Sequence, residues 1–330
     1  MKETTLDVIG IGNALVDVLS RSEDHFLADH ELEKGSMTLI AEDQARALYD
    51  QLGPAVEVSG GSAANTIAGI ASFGGKAAYT GKVADDTLGD IFAHDIKTTG
   101  VAFTTPRAEG AHTGRCLVMV TPDAQRTMCT FLGASSSLGV SDVSAEAIQS
   151  AGILYLEGYL FDPEPARTAF YTAASIAHEA GRQVALTLSD SFCVDRYREE
   201  FKDLVEREID ILFANEDEIK SLYEVDDFDD ALQIVREKCD IAALTRSEAG
   251  SVIVCGDEVH VIDAAPVSEV VDTTGAGDLY AAGFLFGLSK SLPIKTCGEL
   301  ASMAAAEVIS HFGARPEHDL AALAKEKGLI

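Results

Sequence analysis

From about residue 150 onward, short apolar runs alternate with stretches of helical periodicity. ILYLE (153–157) precedes a helical pattern near 165–181, and VALTLS (184–189) precedes one near 196–208. IDILFA (209–214) leads into a short helix from Glu216, and IAALT (241–245) follows a helical stretch at 228–238. Strands that are apolar without a break, with helices between them, belong to a parallel sheet covered on both faces. The same order extends toward the N-terminus: strand LDVIGIG (6–12), helix 62–73, strand AAYTGKV (77–83), helix 86–98. The pattern predicts an α/β protein, three layers α/β/α around a mostly parallel central sheet.

Two segments break the alternation. Residues 113–132, TGRCLVMVTPDAQRTMCTFL, read as an antiparallel hairpin about a Pro122–Asp123 turn. Residues 15–40 are polar and irregular with strand-like ends. Antiparallel pieces inserted into a parallel domain are placed to form a small β lid. The expected division is a large α/β domain over about 1–14, 41–112 and 133–330, with a lid from about 15–40 and 113–132. The whole chain is read as one unit, without linker, repeat or low-complexity tract.

Composition narrows the function. Hydrophobic residues make up 47% of the 330, enough for a substantial core. No run approaches the roughly 18 uninterrupted apolar residues of a membrane span. MKETTLDVIGIG has neither an apolar signal core nor a small-residue cleavage site, so a cytoplasmic location is expected. The six cysteines show no CxxC spacing and are expected to be reduced and mostly structural. The formal net charge of −29 is spread along the chain. Such a surface repels nucleic acid and anionic membranes, so neither is an expected partner. A site for a phosphate-bearing ligand must therefore carry its own local positive potential.

The segment that carries chemistry is Asp272-Thr273-Thr274-Gly275-Ala276-Gly277-Asp278, followed by the small, apolar helical pattern LYAAGFLFGL. Gly275 to Gly277 fall at a helix N-terminus, where unpaired amides and the positive dipole end attract an anion. Asp278, in the first turn, could accept the proton of a hydroxyl attacking a phosphoryl group held there. A plain capped helix, with Thr274 as cap, is the structural alternative.

DTTGAGD resembles the C-terminal signature of the ribokinase family, the phosphofructokinase B type of carbohydrate and nucleoside kinases. The resemblance implies a ribokinase-like fold, an anion hole from the amides of Gly275, Ala276 and Gly277, and Asp278 as catalytic base. Gly60-Gly61-Ser62-Ala63-Ala64-Asn65 matches the family's N-terminal signature, with Gly60, Gly61 and Asn65 expected at the acceptor substrate. Asn215-Glu216-Asp217-Glu218 matches its N-x-x-E element, which implies Asn215 near ATP and Glu218 holding Mg2+ through water. Thr245-Arg246-Ser247-Glu248-Ala249-Gly250 falls where the family has T-x-G-x-x-G beside ATP, with Ser247 in place of the first glycine. Either the backbone there does not need positive φ, or the loop differs. Thr245, Ser247, Gly250 and Thr274 complete the expected ATP site. A monovalent cation such as K+, held by carbonyls around Asp272 and Thr274, is a further implication of the family.

Gly10-Ile11-Gly12-Asn13-Ala14-Leu15-Val16-Asp17 resembles the adenosine kinase branch, in which Asp17 would grip a cis-diol and Asn13 the sugar or base. Arg126 resembles an arginine that this branch brings over the site. Tyr159 and Phe161, in Gly158-Tyr159-Leu160-Phe161, stand where it places an aromatic against the purine. HFGARP (311–316) is similar to its glycine-containing ending near the nucleotide. The expected reaction is ATP-dependent phosphorylation of the 5′-hydroxyl of adenosine by a monomer or homodimer. The alternatives are a kinase for another nucleoside or a sugar such as ribose or fructose, and a non-catalytic nucleoside-binding protein. A dinucleotide-dependent oxidoreductase is disfavoured, because Leu15 stands where G-x-G-x-x-G needs its third glycine. Gly81-Lys82 does not make a Walker A motif.

Overall fold

The computed structural model describes residues 4–330. Fourteen strands, numbered in chain order, form two sheets. They are β1 (Leu6–Ile11), β2 (Leu15–Arg21), β3 (Met37–Leu39), β4 (Ala55–Gly60), β5 (Ala77–Thr80), β6 (Ala102–Phe103) and β7 (Thr113–Val120). They continue as β8 (Arg126–Gly133), β9 (Ala151–Glu157), β10 (Gln183–Thr187), β11 (Ile211–Asn215), β12 (Ile241–Thr245), β13 (Ser251–Cys255) and β14 (Glu258–Ile262).

The central sheet has nine strands in the order β14-β13-β12-β11-β10-β9-β1-β5-β6. It is parallel from β12 to β6, and the antiparallel hairpin β13–β14 closes one edge. Side chains alternate between two cores, as the two-residue strand period requires. Val8, Tyr155, Phe213 and Ala243 face helices Ser62–Ser72, Ala276–Ser289 and Ile294–Val308. Ile9, Leu156, Leu212 and Leu244 face helices Glu164–Glu179, Arg198–Glu208 and Phe228–Val235. This is the three-layer ribokinase-like arrangement.

The chain leaves β1 for β5 and β6 on one side, and later runs from β9 to β12 on the other. The switch point therefore lies between β1 and β9, where open α/β sheets bind ligands beyond their carboxyl ends.

The second sheet, β3-β8-β7-β2-β4, is the lid, and it is larger than the sequence division allowed. Residues 55–60, assigned there to the large domain, form the lid's edge strand β4 and pair antiparallel with β2. Helix Glu42–Tyr49 also belongs with the lid, because Leu48 and Leu52 pack on Val18, Leu117 and Met119 of its sheet. The reason is topological: β2 pairs with β7 and β4 together, so the chain between β2 and β4 must travel with the sheet. Nor is 15–40 irregular throughout, since β2 runs over seven residues.

Among the described residues no helix is long and apolar enough to cross a membrane. Helices Ser62–Ser72 and Ala276–Ser289 cross in close contact at Gly69, where an added Cβ would stand 2.7 Å from both the Ala282 Cβ and the Leu279 Cδ1. Gly69→Val is expected to lower unfolding stability by about 1–3 kcal/mol through overpacking. Denaturant titration checks this, and an unchanged midpoint would mean that the crossing is loose.

Candidate active site

A cavity of about 830 Å³ opens between the carboxyl ends of the parallel strands and the inner face of the lid. Of the residues singled out in the sequence, Asn13, Asp17, Gly61, Asn65, Arg126, Tyr159, Asn215 and Glu218 line it. So do Thr245, Ser247, Gly250, Thr274, Gly275, Ala276, Gly277 and Asp278.

The expected anion site falls at the start of helix Ala276–Ser289. Gly275 precedes it in the left-handed region, φ 82° and ψ 0°, and no side chain caps the helix. Glycine is required there on two grounds: its φ, and the Ala314 backbone at 2.8 Å from where a Cβ would stand. Gly277 lines the cavity, and a Cβ there would meet nothing. Asp278, one turn in, is held from the facing helix: Ser62 donates to its Oδ1 at 2.6 Å and Asn65 Nδ2 to its Oδ2 at 3.0 Å. Burial raises the Asp278 carboxyl above its ordinary value, and those two hydrogen bonds pull it back. Ala276 N donates to the Thr273 carbonyl at 3.3 Å, which leaves the amides of Gly275 and Gly277. A carboxylate desolvated and oriented in this way, beside those amides, can take a proton from a hydroxyl while they hold developing negative charge.

A polar pocket lies across from it. Asp17, on β2, is buried, and desolvation pushes it up to about 7 against the pull of Arg315. Glu157, at the end of β9, was not predicted from the sequence. It accepts from Asn13 N at 3.2 Å, Asn13 Nδ2 at 2.7 Å and Ala63 N at 2.8 Å, and burial raises it to about 7. With its amide nitrogen so engaged, Asn13 keeps Oδ1 buried and without a partner among the described residues, ready to accept from a ligand. Glu218 is held by Asn215, whose N and Nδ2 donate to it at 3.0 and 2.7 Å. Burial, with Asp190 nearby adding repulsion, raises Glu218 to about 7. Arg126 is the one basic side chain among the described lining residues.

Two expectations are corrected. Phe161 does not reach the cavity: it is fully buried and stacks on Phe201 at 4.4 Å between centroids, with Phe170 and Tyr197 around it. The short 3-10 turn Gly158–Phe161 sends Tyr159 to the cavity and Phe161 to the core. Gly60 serves Asp17 instead of lining the cavity, since a Cβ there would fall on the Asp17 carboxylate. Asp272 is fully buried away from the cavity, and its oxygens accept from Thr274 N (2.8 Å), Thr274 Oγ1 (2.6 Å) and Gly313 N (3.0 Å). Its side chain ties two loops together, and the carbonyls around Asp272 and Thr274, expected at a monovalent cation, are not engaged by these bonds. The question at Ser247 is also answered: its φ is 49°, so the backbone does need the left-handed region, and serine adopts it at roughly 1–2 kcal/mol of strain.

A profile described as pfkB family carbohydrate kinase matches residues 37–319. An adenosine kinase from Sinorhizobium meliloti has 50% sequence identity, with a TM-score of 0.96 over 98% of this chain and 100% of that one. A probable sugar kinase from Rhizobium etli CFN 42 also has 50% identity, with a TM-score of 0.97 over 99% and 100%. The adenosine kinase of Saccharomyces cerevisiae is 25% identical over 94% of this chain and 96% of its own length. The chain belongs to the pfkB family of carbohydrate kinases, phosphotransferases with an alcohol acceptor.

The raised carboxyls have a consequence for stability. Between the ordinary carboxyl value and about 7, Asp17, Glu157 and Glu218 keep a proton in the folded chain that the unfolded chain has lost. Their contribution to stability is thus full in acid and is lost as pH rises through about 7. The melting temperature of the ligand-free protein should fall between about pH 4 and pH 7, and Asp17→Asn and Glu218→Gln should each flatten the fall. Scanning calorimetry across that range tests it; variants that leave the slope unchanged would contradict the assignment.

Proposed function

We propose that this pfkB-family kinase phosphorylates the 5′-hydroxyl of adenosine, giving AMP and ADP. The observation that carries the reading is the division of the acceptor cavity into two chemically different walls. One is polar, with Asp17, Asn13 and Asn65 facing Asp278. The other is the apolar inner face of the lid, from Leu15, Met37, Leu39, Val118, Met128 and Leu132. A free sugar offers hydroxyls all round and would leave that lid wall unmatched. A nucleoside has one end for each wall: a ribose for the carboxylate and amides, and a flat base for the methionine and leucine side chains. The S. meliloti adenosine kinase, similar over nearly the whole chain, supports the same reading. The equally similar R. etli protein, described as a probable sugar kinase, keeps a sugar acceptor as the second reading.

In this proposal Asp17 grips the ribose 2′ and 3′ hydroxyls, and Tyr159 bounds the pocket on the strand side. Asp278 takes the 5′-hydroxyl proton as that oxygen attacks the γ-phosphorus. The amides of Gly275 and Gly277, with that of Ala276 once it is released from the Thr273 carbonyl, and Arg126 in the same cavity stabilise the charge on the transferring group. Asn215, Thr245, Ser247, Gly250 and Thr274 border the ATP half of the cavity. Family kinases use ATP with Mg2+, and the donor set here fits that ion: Glu218 is an oxygen ligand in the cavity, and its burial disfavours charge until a cation is near. Glu218 would hold Mg2+ through water, and bound Mg2+ would offset phosphate charge. The lid strands exclude water from Asp278.

Coupled ADP-release assays with Mg-ATP against adenosine, inosine, guanosine, cytidine, ribose and fructose test the acceptor. Turnover with adenosine far above the rest is expected; turnover with a free sugar and none with adenosine would replace the nucleoside reading and keep the kinase. Asp278→Asn should lower kcat at least about a thousandfold with little change in ATP affinity. Near-normal turnover would remove Asp278 as the base. Asp17→Ala should act mainly by raising the acceptor KM, and an unchanged KM would move the diol grip elsewhere.

A further inference from the structure

The loop after helix Ile294–Val308 is tied to the anion site at several points. Gly313 N donates to Asp272 Oδ2 at 3.0 Å, and Ala314 packs against Gly275. Farther along, the buried Glu307 carboxylate accepts from the amides of Glu317 and His318 at 3.0 and 2.9 Å. Between these anchors Arg315 is directed inward, although it does not itself line the cavity. Its Nε donates to Asn65 Oδ1 in a long hydrogen bond of 3.5 Å, and its Nη2 is buried without a hydrogen-bond partner among the described residues.

The position of that contact matters because Asn65 is an amide with two unlike ends. A donor held against its oxygen turns its NH2 group the other way, toward Asp278 Oδ2 at 3.0 Å. A flipped amide would set an oxygen against the carboxylate and lose that hydrogen bond. Arg315 is also the cation that acts most strongly on Asp17. Facing Asp17 are Arg315 from the C-terminal loop, Arg126 from β8, and Asp278 and Asp272 from the anion-site segment, with Cys116 beside it on β7. The two arginines favour its charged form and the two aspartates oppose it. Burial works against the charge of Arg315 itself. A guanidinium with an unmatched N–H in such a place is a poor choice for packing, and a methionine would fill the space with less desolvation.

We propose that Arg315 is a positioning residue for phosphoryl transfer, which turns the Asn65 amide toward Asp278 and supplies the positive charge that offsets Asp17. The proposal rests on the reading of Asp278 as base and Asp17 as acceptor grip, and holds for whichever acceptor the wild-type enzyme turns over.

The test is a set of pH profiles for wild type, Arg315→Met and Arg315→Lys, with Asp278→Asn alongside and melting temperatures for all. Arg315→Met should lower kcat by roughly 10- to 100-fold, the scale of a misoriented catalytic group. It should also move the acidic limb of acceptor kcat/KM upward by about one pH unit or more, as removal of a close opposite charge does. The KM for ATP should hold, and the melting temperature should stay or rise. Arg315→Lys should bring the limb back to the wild-type pH without restoring kcat, because an ammonium supplies the charge and not the fixed planar donor. Wild-type kcat and limb in Arg315→Met overturn the proposal, as does a lowered melting temperature with an unmoved limb. Should Arg315→Met not fold, a wild-type kcat in Arg315→Lys overturns it equally. Near-normal turnover in Asp278→Asn removes the base reading instead, and the limb at Asp17 then decides the Arg315 assignment alone.

Discussion

The structure depends on two helix N-termini brought face to face across one carboxylate. Helix Ser62–Ser72 and helix Ala276–Ser289 come from chain segments more than two hundred residues apart, and Asp278 of the second is bonded by Ser62 and Asn65 of the first. That approach is possible only because Gly69 leaves no side chain between them. The geometry puts two sets of helix-terminal amides and one acidic group at the switch point of the parallel sheet. Phosphoryl transfer asks for little else from a protein than such positioning and charge. The lid, the C-terminal loop and the strand ends are arranged around this contact.

The same contact explains how an acidic chain can handle a more acidic ligand. Asp17, Glu157, Glu218 and Asp278 all surround the cavity, and desolvation raises each of them. The net charge of −29 therefore says little about the potential inside, where helix ends, Arg126 and Arg315 act at close range in a poorly screened medium. Asp17, Glu157 and Glu218, poised near neutrality, are sensitive to what binds beside them. A cation or a hydrogen-bonding hydroxyl draws them to the charged form, and an empty site lets them hold protons.

Much of the sheet was legible because its strands are apolar without interruption and its helices begin where the periodicity changes. The segment DTTGAGD was legible because glycines before an apolar helix have a physical meaning of their own. What escaped was set by pairing or by a single turn. The segment of β4, VEVS (56–59), is strand-like, but nothing in it says that its partner is β2, so the lid was drawn too small. Tyr159 and Phe161 are two residues apart and alike in chemistry, and only the 3-10 turn separates a cavity residue from a core residue. Glu157 was hidden at the end of an apolar strand, where one carboxylate looks like the strand's boundary. A buried acid in that position was the available signal, since Glu is seldom buried without a partner. Ser247 shows the converse: a serine accepted where glycine would be unstrained conceals a loop whose backbone keeps the glycine conformation.

The lid and the anion site are also joined directly, which bears on how closure could be felt at the chemistry. Thr273, two residues before Gly275, donates its hydroxyl to the Ala124 carbonyl in the turn of the β7–β8 hairpin at 3.2 Å. Phe312, in the loop that carries Arg315, packs on the lid cluster of Leu15, Val118 and Met128, with the Arg21 guanidinium 5.5 Å from its ring centroid. The two loops that the lid touches are the two that Asp272 ties together through Thr274 and Gly313. Lid, anion hole and Arg315 thus form one connected body of hydrogen bonds and packing. A lid that rises must release Thr273 and Phe312, and both contacts lead within a few bonds to Gly275 or Arg315. The protein seats the lid on the two loops that carry Gly275 and Arg315, so any displacement of the lid strains those loops first.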